Sequence, residues 1–92
     1  MQFMAYCLDK PGAIEIRMAN RPKHVEYLTS YNDKLLFAGP LLDGDAMIGS
    51  LLVLDVADRA AMDAFLTGDP YAKAGLFQSV TVHGTRKSFP KV

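Results

Sequence analysis

Two histidines occur in this chain, and His24 is the one placed for chemistry. It starts a helical stripe, with Tyr27, Leu28 and Tyr31 following at i+3, i+4 and i+7. Imidazole titrates near neutral pH, so it can both take and return a proton. A histidine beneath a helix is therefore a candidate general acid/base. The plain alternative is a histidine at the core boundary, hydrogen-bonded to a tyrosine. Asp69 precedes Pro70. A carboxylate there has an ordinary use, capping a helix whose first turn holds the proline. It could also orient an imidazole and support its protonated form. One carboxylate can fill both roles, because it has two oxygens.

Arg17 and Arg21 lie just ahead of His24 and could hold an anionic substrate, a carboxylate or a phenolate. Solvated helix charge is the plain reading for each. Tyr71 could pack over the Asp69 site or fill a gap. His83 falls in the polar phase of the last strand and reads as solvent-facing, though it could line a cavity. Cys7 alternates into a strand face and reads as inert core. There is no P-loop, GxGxxG, HExxH or CxxC, and nothing near either histidine has metal-ligand spacing. No metal and no cofactor is expected.

These residues sit in a chain of 92 residues, room for one core and one domain spanning residues 1–92. Half the residues are apolar and 22% are charged, a globular composition. Ten basic residues balance ten acidic ones, which argues against nucleic acid and against an acidic membrane surface as partners. The single cysteine excludes an intramolecular disulfide. No apolar run approaches the ~20 residues of a membrane span, and the N-terminal stretch lacks signal-peptide character. A cytoplasmic protein is expected. A domain this small buries only roughly 60–65% of its unfolded surface. With neither disulfide nor metal to help, a homo-oligomer is the default expectation.

The apolar pattern predicts strand, helix, strand, strand, helix, strand. The first strand, about Gln2 to Leu8, is apolar on both faces and so needs cover on both. A helical region follows, about Ala13 to Asn32, with Ile14 and Met18 on one face. Pro22 is expected to split it in two, with Asn20 or Arg21 near the cap of the second piece. Leu28 is expected as that piece's core anchor. The second strand, about Lys34 to Leu42, is interrupted by Gly39-Pro40 and belongs at an edge. The third, about Met47 to Val56, is apolar on both faces and belongs at the centre. Asp58 should cap a helix to about Leu66, buried through Ala61, Met62, Phe65 and Leu66, with Gly68 as its C-terminal glycine. Asp69-Pro70 should open a short helix to Ala74. The last strand, about Phe77 to Gly84, turns Val80 and Val82 one way and Ser79, Thr81 and His83 the other. In the tail Thr85–Val92 only Phe89 reads as an anchor. This order is the split-βαβ, ferredoxin-like α+β fold, with both helices on one side of a four-stranded antiparallel sheet. Two helices cannot cover both faces. A second subunit, sheet against sheet, is the simplest remaining cover.

The chain resembles the YciI-like (YCII-related) family over nearly its whole length. The resemblance rests on the strand Phe3–Leu8 and on the run Arg21-Pro22-Lys23-His24-Val25-Glu26-Tyr27-Leu28. It continues in Leu36-Phe37-Ala38-Gly39-Pro40-Leu41, the strand Gly49–Val56 and Gly68-Asp69-Pro70-Tyr71. Order and spacing together carry it. The resemblance implies a dimeric α/β barrel and, in each subunit, a pocket with a His–Asp pair at His24 and Asp69. One such relative eliminates chloride from a chlorinated hydroxyquinone-type ring. The expected function is a cofactor-independent lyase or isomerase acting on a small ring-derived or enolisable metabolite. His24 would carry the proton, Asp69 would orient it, and Arg17, Arg21 and Tyr71 would contact substrate. The alternatives are a non-catalytic small-molecule binding or accessory protein using the same pocket, and a structural dimer module.

Overall fold

Strands apolar in both phases, interleaved with helices, call for a layered domain, and the computed structural model, which describes residues 1–91, has that form. Strand β1 (Gln2–Asp9) leads into helix α1 (Ile14–Ser30). Strands β2 (Leu35–Asp43) and β3 (Ala46–Asp55) follow as a hairpin. Helix α2 (Arg59–Gly68), the short α3 (Pro70–Lys73) and strand β4 (Phe77–Thr85) complete it. The sheet order is β2-β3-β1-β4 with every pair antiparallel, a ferredoxin-like fold. β2 is an edge and β3 is central, as their sequences require.

Residues directly opposite one another in a ladder share a face. Phe3 faces Leu54, Ala5 faces Leu52 and Cys7 faces Ser50. All six are buried, because α1 and α2 lie over them. Met62 and Phe65 of α2 seal this core, with Tyr27, Leu28 and Tyr31 of α1 packed around it. The reverse face is open. Met4 faces Val53, and Tyr6 faces Leu51.

Four expectations need correction. Pro22 does not divide α1, which runs unbroken with the proline inside it. Pro22 lies on the exposed side of the helix. Met18, four residues back, is half-exposed, so its carbonyl is open to water in place of the missing N–H. Asn20 accordingly caps nothing, and its Nδ2 donates to the Ile16 carbonyl within the same helix. Leu28 is only half-buried. It packs on the core but also borders a cavity. Gly39-Pro40 does not interrupt β2, since Pro40 stays in register opposite Ser50. An edge strand tolerates the missing donor. Phe89 anchors nothing, being 77% exposed; Val92, at the end of the same tail, lies outside the described residues.

Other expectations hold for reasons the structure makes specific. Asp58 caps α2, its side chain accepting from the Ala61 N–H. Gly68 ends α2, but not through a left-handed turn. A Cβ there would meet the Tyr27 hydroxyl at 2.5 Å. The glycine is small because Tyr27 needs the room to donate to the Phe65 carbonyl at 2.8 Å.

Candidate active site

α1 places its polar residues inward: Arg17 and His24 are its buried residues. They stand two turns apart on the face that meets the sheet. α3 places Asp69 opposite them. Asp69 Oδ1 accepts the Tyr71 backbone N–H at 3.0 Å, capping α3, and lies 2.8 Å from His24 Nδ1. The helix cap and the contact with the imidazole therefore fall on one oxygen. Oδ2 is buried with no hydrogen-bond partner among the described residues. An ionised carboxylate only accepts, so the shared proton belongs on Nδ1. That tautomer leaves the lone pair on Nε2. His24 also borders a cavity of about 180 Å³.

Tyr71 is buried, and its ring stacks on the His24 imidazole at 3.8 Å with the planes 14° apart. The Arg17 guanidinium lies 4.7 Å from the Tyr71 ring centre. Arg17 is 3% exposed. Its Nε and Nη2 donate to Asp9 at 2.7 and 3.0 Å, and Nη2 also donates to Ser50 Oγ at 2.8 Å. Burial works against the Arg17 charge, but the bidentate Asp9 carboxylate outweighs it and holds the guanidinium above its usual pKa. Burial likewise raises the Tyr71 hydroxyl, with Arg17 and Arg21 pulling it part of the way back. It remains a neutral donor at physiological pH.

The cavity is bordered by the polar residues Arg17, His24, Ser50 and Tyr71 and by apolar residues including Val25, Leu28, Pro40 and Met47. Arg21 borders it too, exposed and outside any ion pair among the described residues. An apolar cavity of roughly 150 Å³ already admits benzene, so this one suits a single substituted ring. His24, Asp69, Arg17, Arg21 and Tyr71 thus come together. His83 does not: it pairs with Met4 on the open face. Asp9 and Ser50 are the residues that sequence reasoning missed. Asp9 is masked by the turn chemistry beside it. Ser50 carries a usable signal, being polar in the inward phase of Leu52 and Leu54. Among the described residues no group of three metal-ligating side chains assembles, and no helix is long and apolar enough to cross a membrane.

The architecture recurs in other proteins. Protein YciI of Escherichia coli O6:H1 strain CFT073 is 31% identical over 98 aligned positions, covering 97% of this chain and all of the relative. The 5-chloro-2-hydroxyhydroquinone dehydrochlorinase of Burkholderia phenoliruptrix AC1100, solved in complex with 2,5-dihydroxybenzoquinone, is 30% identical. It superposes with a TM-score of 0.88 over 94% of each chain. An antibiotic biosynthesis monooxygenase shares the fold alone, with 21% identity and a TM-score of 0.57 over 94% of this chain and 96% of its own. The family model of the YCII-related domain matches residues 1–86, and the chain is a member of that family.

Proposed function

We propose that this protein is a cofactor-independent lyase or isomerase that moves a proton on a small, ring-derived or enolisable compound. The observation that carries the reading is the buried His24–Asp69 contact of 2.8 Å at the edge of a one-ring cavity. His24 Nε2 takes a proton from the substrate. The imidazolium that forms is stabilised by Asp69, which never leaves Nδ1. Arg21 supports the oxyanion of the resulting enolate or phenolate. The proton then returns to a different atom, as in isomerisation, or a leaving group departs, as in elimination. The likeness to a dehydrochlorinase favours the second outcome. A positioned acid/base contributes typically ~10²–10⁴ in rate, the remainder coming from binding and electrostatics.

The working assembly we propose is a homodimer packed open sheet face to open sheet face. Met4, Tyr6, Phe37, Leu41, Leu51 and Val53 share that face, with Phe37 52% exposed. Such a patch on a small domain calls for a partner.

The test is proton exchange. The protein is incubated in D₂O with chlorinated hydroxyhydroquinones and with enolisable one-ring acids, and deuterium uptake and chloride release are followed by NMR and ion chromatography. We expect turnover in the native protein and a loss of ~10²–10⁴ in His24→Ala, with the dimer unchanged by sedimentation. Full activity in His24→Ala would overturn the assignment. A compound that raises the melting temperature but returns unchanged would mark a binding protein instead.

A further inference from the structure

His24 is held at one atom by Asp69, and one hydrogen bond does not fix a ring. The imidazole's outer torsion has broad wells, so a ring tethered at Nδ1 can still swing its plane. Proton transfer tolerates little of that, since the acceptor must meet the reacting atom within about 0.5 Å and 10–20°. Something else must set the plane of the imidazole.

We infer that Tyr71 and Arg17 are positioning residues for His24: the Tyr71 ring sets the plane of the imidazole, and Arg17, clamped by Asp9 and Ser50, sets the Tyr71 ring. This rests on the reading of His24 as the proton carrier. Near-parallel stacking at 3.8 Å blocks rotation of the imidazole out of its plane. Tyr71 restrains both members of the pair at once, because its backbone N–H also holds Asp69 Oδ1. The ring is itself a side chain on a four-residue helix, a weak platform alone. Phe77 meets its edge at 6.2 Å, and the Arg17 guanidinium lies against it at 4.7 Å. Arg17 suits this task better than it suits substrate. Its charge is already matched by a buried carboxylate, with both side chains of the pair under a tenth exposed. A substrate anion would compete with Asp9 for it. Arg21, one turn further along α1, offers the same cavity an unmatched charge. The contacts therefore run without a gap from β1 and β3 through Arg17 and Tyr71 to His24. They convert the rigidity of the sheet into the orientation of one imidazole.

The experiment reads the imidazole directly and needs no substrate. A stacked phenol ring shifts the His24 ring protons upfield, and ¹⁵N shifts report which ring nitrogen bears the proton. In the native protein we expect upfield ring protons and a single tautomer protonated at Nδ1. Tyr71→Met keeps much of the apolar bulk but removes the ring, and should return the protons to ordinary positions with two tautomers in exchange. Tyr71→Phe should restore the upfield shift. The double variant Asp9→Asn with Arg17→Gln removes the clamp without stranding a buried charge, and should leave the shift only partly developed. With a turned-over compound in hand, Tyr71→Met should lower kcat by about 10–10²-fold with little change in KM, and Tyr71→Phe should recover most of that loss. Native ring protons at ordinary positions would overturn the inference even if no variant folds. So would a Tyr71→Met protein with an unmoved His24 spectrum. An Arg17 variant that raises KM for anionic compounds while leaving that spectrum intact would return Arg17 to substrate contact. None of these results depends on whether His24→Ala loses turnover, so the two readings fail separately.

Discussion

The two faces of the sheet are built from the same four strands and could hardly differ more. Towards the helices, Ala5, Cys7, Leu52 and Leu54 are completely shielded. One residue along in each central strand, Met4, Tyr6, Leu51 and Val53 look outward and keep contact with solvent. The inner face also holds the candidate site: Arg17, His24 and Asp69 are buried between helix and sheet. The outward residues Met4, Tyr6, Leu51 and Val53 do not border that site. The difference teaches that the His–Asp pair is a property of the single chain.

The largest effect should come from charging the outer face. Leu51→Lys puts an ammonium at the centre of each of two facing surfaces. Burying an unpaired charge costs several kcal/mol per ion, and a symmetric interface meets that cost twice. Sedimentation should show a dimer for the native protein and a monomer for the variant, with the far-ultraviolet circular dichroism unchanged. A native protein that sediments as a monomer at micromolar concentration would end the sheet-to-sheet proposal.

A milder pair of substitutions measures the contrast itself. Leu52→Ala empties a fully enclosed site on the inner face and should cost about 2–5 kcal/mol in urea unfolding. Leu51→Ala, its neighbour on the outer face, should cost under about 1 kcal/mol where the chain is monomeric. In the dimer its cost should grow with protein concentration, because the lost contacts belong to the partner. Equal losses at high dilution would erase the distinction between the faces.

That contrast was readable in the strands. Period-2 alternation with both phases apolar in Gln2–Asp9 and Ala46–Asp55 demands cover on both sides, and two helices can supply only one. α1 was harder to read, because it inverts the usual pattern. Ile14, Ile16, Met18 and Val25 face outward while Arg17 and His24 are buried. A hydrophobic stripe cannot locate a face that buries an ion pair and a dyad. Pro22 misleads for a related reason: its cost depends on which side of the helix meets water, and that side is set by packing with the sheet. The site was legible where local chemistry marked it, at His24 in the stripe and at the Asp69-Pro70 cap. It was illegible where long-range register did the work. Asp9 meets Arg17 because α1 folds back over the end of β1, and Ser50 meets it because β3 pairs with β1 beneath that helix.

The smallest effect concerns proton uptake on the inner face. Cys7 lies fully buried there, and burial, reinforced by the Asp69 and Asp9 charges and opposed by Arg17, pushes its thiol up to about 12 from an ordinary 9.0. In the unfolded chain the thiol ionises near its ordinary value. Between pH 9 and about 12 the unfolded state has therefore lost a proton that the folded state keeps. Raising the pH through that window favours unfolding, by at most about 1.4 kcal/mol per pH unit for one such group. Tyr27 and Tyr71 act in the same direction, since burial raises both hydroxyls above the ordinary 10.0. Cys7→Ala separates the thiol from them. It removes the charge equilibrium but leaves both tyrosines, and any packing loss it causes is the same at every pH. Urea midpoints for the native and Cys7→Ala proteins should therefore converge as the pH rises from 8 towards 10.5. Parallel profiles would mean that the thiol ionises as it does in water, and that the inner face admits solvent as the outer one does.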